Sequence, residues 1–226
     1  MELSKILHQV FLRSPTNLFD EFIIECQKWY SKPAHSLVEM RKRDNKKIRG
    51  DIFEEFCVLY LKHIKSYSQV WRLPDVPEEI LLQLSLKRRD MGIDILCENN
   101  GTFTAVQCKY KKRGSAVTWK ELSTFYALCL RTGPWQKYIV MTNCQFVTHM
   151  GQKTEKDLSI CSGTFRNITS EDWIKMCNVT GQTLANIPES NESNEININT
   201  QLAENDVKNE KDKLRRLRLA YYESKK

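Results

Sequence analysis

This chain of 226 residues has no long apolar run, no CxxC pair and no internal repeat, and each absence closes off a class of function. Its longest apolar stretches, such as Phe22 to Ile24 and Tyr138 to Met141, fall far short of the ~20 residues that cross a bilayer. A membrane-spanning role is therefore not expected. The start, Met1-Glu2-Leu3-Ser4-Lys5, lacks the basic-then-apolar layout and small-residue cleavage site of a secretory signal. The expectation is an intracellular, cytoplasmic protein, or a nuclear one in a eukaryotic host. Eight cysteines would suit a disulfide scaffold, but they are widely spread, and none of the four histidines adjoins one. Structural zinc is therefore not expected, and most of the thiols lie in apolar runs where they act as small hydrophobes. What is present is 35 Lys+Arg against 28 Asp+Glu, a formal +7, with 41% hydrophobic residues. That is enough for one globular domain with appendages.

Residues 1–47 read as an N-terminal helical extension, with Leu3, Ile6, Leu7, Val10 and Phe11 on one apolar stripe. Leu18, Phe19, Phe22, Ile23, Cys26 and Trp29 form the next. The basic run Arg41 to Arg49 suits a phosphate-contact patch or a nuclear-import signal equally well. Residues 48–180 read as the main domain. Its first helix is expected from about Asp51 to Ile64, with Gly50 at the entrance. Two prolines bracket a turn at Val70 to Pro77, before a short helix at Glu78 to Leu82. An Asn-Gly turn at Asn100-Gly101 predicts a hairpin over Gly92 to Tyr110. Thr118-Trp119-Lys120-Glu121 has capping-box form and opens a helix that stops at Arg131-Thr132-Gly133-Pro134. Lys137 to Thr142 reads as a buried central strand, Thr164 to Ile168 as a short strand, and Thr169 to Asp172 as the cap of a helix through Met176. Residues 181–206 form an acidic linker too polar to fold. Residues 207–226 form a basic C-terminal helix or tail around Leu214, Leu217 and Tyr221.

A two-residue turn fixes the hairpin register, so paired positions sum to 201 and Asp94 stands across from Gln107. Alternation then puts Asp94, Gln107 and Lys109 on one face, with Ile93, Ile95, Val106 and Cys108 on the other. A carboxylate, an amide and an ammonium gathered at one hairpin end are costly if they serve stability alone. A hard divalent cation takes oxygen ligands of this kind, and a neighbouring lysine can orient a water and stabilise charge on a phosphate. An ordinary Asp94–Lys109 cross-strand pair on a solvated face accounts for the same three residues equally well.

Glu54 in Gly50-Asp51-Ile52-Phe53-Glu54-Glu55-Phe56, Asp94 in Asp90-Met91-Gly92-Ile93-Asp94-Ile95, and Gln107-Cys108-Lys109 together resemble the PD-(D/E)XK nuclease superfamily, in its Mrr-like restriction-endonuclease branch. Val70 to Pro77 and the helix from Trp119 to Leu130 resemble the version attached to restriction-type helicases. The resemblance covers roughly Ile48 to Asn178. It implies an α/β fold of restriction-endonuclease-like three-layer αβα type with a small mixed sheet, placing the hairpin at one end and Lys137 to Thr142 beside it. It further implies a Mg²⁺-dependent DNA endonuclease, with Mn²⁺ as a substitute metal. Asp94 becomes the principal metal ligand, Glu54 the helix carboxylate reaching the metal or its water, Gln107 a weaker ligand, Cys108 a backbone-carbonyl ligand, and Lys109 the water-activating cation. Gln107 in place of an acid lowers the site's negative charge and should weaken metal affinity.

Around this set, Lys111, Lys112 and Arg113 on one side and Arg88 and Arg89 on the other are expected to meet DNA phosphates. Asp90 and Glu55 are the backups for Asp94 and Glu54. A homodimer and a helicase partner are the assemblies the resemblance allows. Two rivals stand: a DNA-binding module of a replication or repair assembly with a vestigial site, and a structure-selective, junction-resolving nuclease.

Overall fold

The apolar stripe at i, i+3, i+4, i+7 and i+8 in the first segment does form a helix, α1 (Glu2–Arg13), with Leu3, Ile6, Leu7, Val10 and Phe11 all buried. The computed structural model describes residues 2–13, 17–30, 45–89, 92–112, 114–148 and 155–179. Residues 41–44 of the basic run, Asp90, Arg113, the acidic linker and the basic tail lie outside these. Helix α2 (Leu18–Tyr30) begins where the Asn17 side chain accepts hydrogen bonds from the backbone N–H groups of Phe19 (3.0 Å) and Asp20 (3.3 Å). Helix α3 (Asn45–His63) starts six residues before the expected Asp51 and runs through Gly50 rather than starting beside it. A Cβ at Gly50 would meet nothing within 4 Å, so the glycine neither demands nor prevents helix there.

The sheet has five strands in the order β1-β2-β3-β4-β5: β1 (Gln69–Arg72), β2 (Ile95–Asn99), β3 (Thr102–Lys109), β4 (Lys137–Thr142) and β5 (Asp157–Ile160). Asn100 (φ 51°) and Gly101 (φ 73°) both adopt the left-handed conformation that a tight hairpin turn needs. The β2–β3 register pairs Ile95 with Val106 and Asn99 with Thr102, as the turn predicts. The hairpin lies mid-sheet instead of at one end, because β1 pairs antiparallel with β2 and covers its edge. Strand β4 runs parallel to β3, with Lys109 beside Thr142, and β5 runs parallel to β4. The expected strand at Thr164 to Ile168 is instead the end of a single helical turn, α6 (Ser162–Phe165). The strand itself lies upstream, as β5.

The β3-to-β4 crossover contains α5 (Trp119–Arg131), closed at its start by the capping box of Thr118 and Glu121. With α4 (Glu78–Gln83) it covers one sheet face, burying Leu96, Ala105, Phe103 and Val140 against Leu81, Leu122, Phe125 and Cys129. The opposite face carries Ile95, Cys97, Val106, Cys108, Ile139 and Met141 under α1, α2, α3, α6 and α7 (Ser170–Val179). The result is three layers, helix on sheet on helix. Helices α1 and α2 belong to this second core. Phe19 and Phe22 stack on Phe165 and Phe56 at ring distances of 4.7 and 4.6 Å, and the Trp173 indole N–H donates to the Leu7 carbonyl at 3.2 Å. Ile93, expected on the Cys108 face, is buried in the other core, since it precedes β2 and the strand alternation does not extend to it.

Candidate active site

Asp94 sits one residue before β2, and its placement starts from Gly92. Gly92 has φ +144°, and a Cβ there would lie 3.1 Å from the Phe125 backbone, so only glycine lets the chain pass this close to α5. Two backbone bonds then fix Asp94 at the sheet's end: its N–H donates to the Val106 carbonyl and its carbonyl accepts from the Leu73 N–H, both at 2.9 Å. Asp94 Oδ2 accepts from the Cys108 N–H at 2.6 Å and, at very short range, from the Gln107 amide nitrogen. That nitrogen also donates to the Cys108 carbonyl at 3.3 Å. Burial pushes the Asp94 carboxyl up, while the Cys108 N–H, the Lys109 charge and the Gln107 amide pull it back.

Helix α3 delivers the second carboxylate. The Cys57 and Cys108 thiols are both buried in the core where α3 packs on β3 behind the site. Glu54 lies one turn before Cys57. Burial, with Asp94 and Asp51 nearby, pushes the Glu54 carboxyl up to about 7, and Arg72 and Lys109 oppose that rise. Glu55, the alternative on the same helix, is instead paired with Arg72 at 3.7 Å. Among the described residues, the Lys109 ammonium has no hydrogen-bonded or ion-paired side chain, so its donors are open to water or phosphate. Burial sets the Cys108 thiol well above the ordinary range, which keeps it neutral and leaves its carbonyl as the polar contribution.

The fold thus brings Glu54, Asp94, Gln107, Cys108 and Lys109 together. The phosphate-contact residues separate. Arg88 donates to the Pro74 carbonyl at 2.9 Å, the Val76 carbonyl at 2.8 Å and Glu78 at 2.7 Å, so its guanidinium, though exposed, is committed to bracing the loop before α4. Lys111 is held by Glu121. Arg89 and Lys112 are exposed. Arg72, which the sequence reading passed over, ends β1 beside the site, and its cue was only its place before Leu73-Pro74. Asn143 was also missed: its side chain accepts from the Lys111 N–H and donates to the Lys111 carbonyl, both at 2.8 Å, splinting the chain just beyond Lys109.

A family model described as restriction endonuclease matches residues 61–181, more than half of the chain. The chain belongs to the Mrr-like restriction endonuclease family. No curated protein and no solved structure gives a match. The match contains Asp94, Gln107, Cys108 and Lys109 and begins after Glu54. As in other PD-(D/E)XK nuclease domains, catalysis would call for a divalent metal, and the donor set fits one. Glu54, Asp94 and the Cys108 carbonyl are all hard oxygen donors, and a cation would relieve the mutual repulsion of two partly buried carboxylates. The Gln107 amide nitrogen now bridges Asp94 and the Cys108 carbonyl, and half a turn of the amide would present its oxygen instead. Among the described residues no three His, Cys, Asp or Glu side chains are placed to hold a metal together, so a cation here would need amide and carbonyl oxygens beside the two carboxylates.

Proposed function

We propose that this restriction-endonuclease-family domain is a Mg²⁺-dependent DNA endonuclease that hydrolyses phosphodiesters with an activated water. The observation that carries the reading is the convergence of Glu54, Asp94, Gln107 and Lys109 at one end of the sheet, each from a different position along the fold. When bound, Mg²⁺ would polarise the phosphate and acidify water. Glu54, Asp94, the Cys108 carbonyl and the Gln107 amide oxygen would hold it. Lys109, free of competing carboxylate pairs among the described residues, orients the attacking water and offsets negative charge as it builds on the phosphate. Glu54, whose carboxyl is lifted to about 7 in the metal-free site, would be drawn into its ionised form by the cation it helps to hold. Exposed Arg89 and Lys112 flank the site and hold the DNA backbone.

The test is nicking of supercoiled plasmid in Mg²⁺ and in EDTA. Wild type cuts only with metal, and Asp94→Ala lowers the rate by about 100-fold or more. Cutting that persists in Asp94→Ala would remove this reading.

A further inference from the structure

Beside the candidate active site lies a second cavity, of about 460 Å³, between α2, α6 and the loops that follow β3 and β4. Its volume falls in the range of small-ligand sites. It opens at the same end of the sheet as Lys109: Thr142, beside Lys109 in the β3–β4 register, donates to the Lys109 carbonyl at 2.7 Å, and Asn143 next to it lines the cavity. Lys112, three residues beyond Lys109, lines it too.

Its chemistry is mixed in a particular way. Ser162 lines it, is 3% exposed, and has a hydroxyl without a hydrogen-bond partner among the described residues. A buried hydroxyl left unpaired is costly unless a ligand completes it. Phe146 stands in the lining with 56% of its surface open to solvent, an aromatic face with no ring stacked on it among the described residues. Gln145 adds an exposed amide that can donate and accept. Lys112 adds an exposed positive charge, whereas the Arg166 guanidinium is already held by Asp20 at 2.9 to 3.0 Å. The lining also holds the Glu21 carboxylate, which keeps a phosphate to the Lys112 side. With that, an unstacked π-face, an amide, a buried hydroxyl and one exposed lysine are the complement of a single nucleotide: base to the aromatic, base edge to amide and hydroxyl, phosphate to lysine. A base stacked inside a duplex cannot enter such a cavity.

We propose that this cavity receives one unpaired nucleotide of the DNA next to the phosphate being cut, which makes the enzyme selective for DNA with a bulged, mismatched or otherwise extrahelical base. The inference rests on the reading that DNA is the substrate, and its test reads binding alone. Fluorescence anisotropy of the full chain in EDTA compares a fully paired duplex with the same duplex carrying a single-nucleotide bulge. Wild type prefers the bulged duplex by about tenfold, in line with one stacked base. Phe146→Ala removes most of that preference while leaving affinity for the paired duplex unchanged. Ser162→Ala also reduces it and does not lower thermal stability, because the hydroxyl has no partner to lose in the free protein. Equal binding of the two duplexes by wild type overturns the proposal, as does a preference that survives both substitutions. A wild type that cuts plasmid without the preference overturns this inference alone. A wild type that shows the preference but cuts nothing overturns the nuclease reading alone.

Discussion

Gln107 is the residue on which the chemistry of the site turns. An amide in an otherwise acidic set makes the metal-free site nearly self-sufficient, since its nitrogen satisfies both Asp94 and the Cys108 carbonyl. A bound metal would have to displace that arrangement. Gln107→Glu replaces a donor with a third negative charge beside Glu54 and Asp94, with opposite effects in the two states. The metal-free protein should lose thermal stability, and Mg²⁺ affinity should rise about tenfold. Unfolding scans in EDTA and across a Mg²⁺ titration check both, because a ligand that binds only the folded state stabilises it by an amount that grows with the logarithm of its concentration over its Kd. Asp94 and Gln107 could be paired from the sequence because the Asn100-Gly101 turn leaves one register, and the structure has that register. The choice of Glu54 over Glu55 rests on resemblance alone; physically it depends on how α3 rotates over β3, which the packing of Phe53, Phe56, Cys57 and Tyr60 decides and no local pattern reveals. Arg88 shows the converse limit. A basic triplet reads as a phosphate patch, and only the folded loop shows that its donors are taken by Pro74, Val76 and Glu78.

At the scale of elements, those with strong local chemistry were legible. The Thr118 to Glu121 capping box starts α5 as read: Glu121 accepts from the Thr118 N–H and hydroxyl at 2.9 Å, and also holds Lys111. These bonds pull the Glu121 carboxyl down to about 2, with the Lys111 bond the largest cause. A carboxyl depressed on folding contributes stability where it is ionised in both states, and that contribution fades as pH falls from about 4.5 toward 2. Glu121→Ala should therefore lower stability by about 1 kcal/mol at pH 7, a figure kept small by solvent screening, and the difference from wild type should vanish in acid. Denaturant melts at pH 7 and at or below about pH 2 read it. Strands β1 and β5 were not legible, for a physical reason: each has four residues, too few for alternation to show, and β1 is followed at once by Leu73-Pro74. Their strand character comes from pairing with β2 and β4, which is not a local property.

For the whole molecule, the sequence divides at residue 47, yet the structure places the first two helices inside the core of the main domain. Ile6, Leu7, Val10, Phe11, Phe19, Phe22 and Cys26 are each no more than 2% exposed. At about 1.5–3 kcal/mol for each large apolar side chain, their burial is comparable with the roughly 5–15 kcal/mol that holds a domain folded. A chain beginning at residue 31 should accordingly show no cooperative unfolding transition by circular dichroism, although the family match at residues 61–181 would be intact. A cooperative melt from that fragment would make α1 and α2 an accessory layer. The apolar stripes of α1 and α2 were plain in the sequence; which domain they cover was not, because amphipathicity shows that a face is buried and is silent on what buries it.

The most direct measurement for the central claim is cleavage of supercoiled plasmid, single-stranded circle and four-way junction in Mg²⁺ and in Mn²⁺, by wild type and by Lys109→Ala, with circular dichroism confirming that both are folded. Lys109 makes no side-chain bond among the described residues that the fold would miss, so its loss should spare structure and cost catalysis. Cutting of at least one substrate by wild type, reduced about 100-fold or more in the folded Lys109→Ala protein, is the predicted result. Equal rates from the two proteins, or silence from both while DNA remains bound, would contradict a hydrolytic site built on Glu54, Asp94, Gln107 and Lys109.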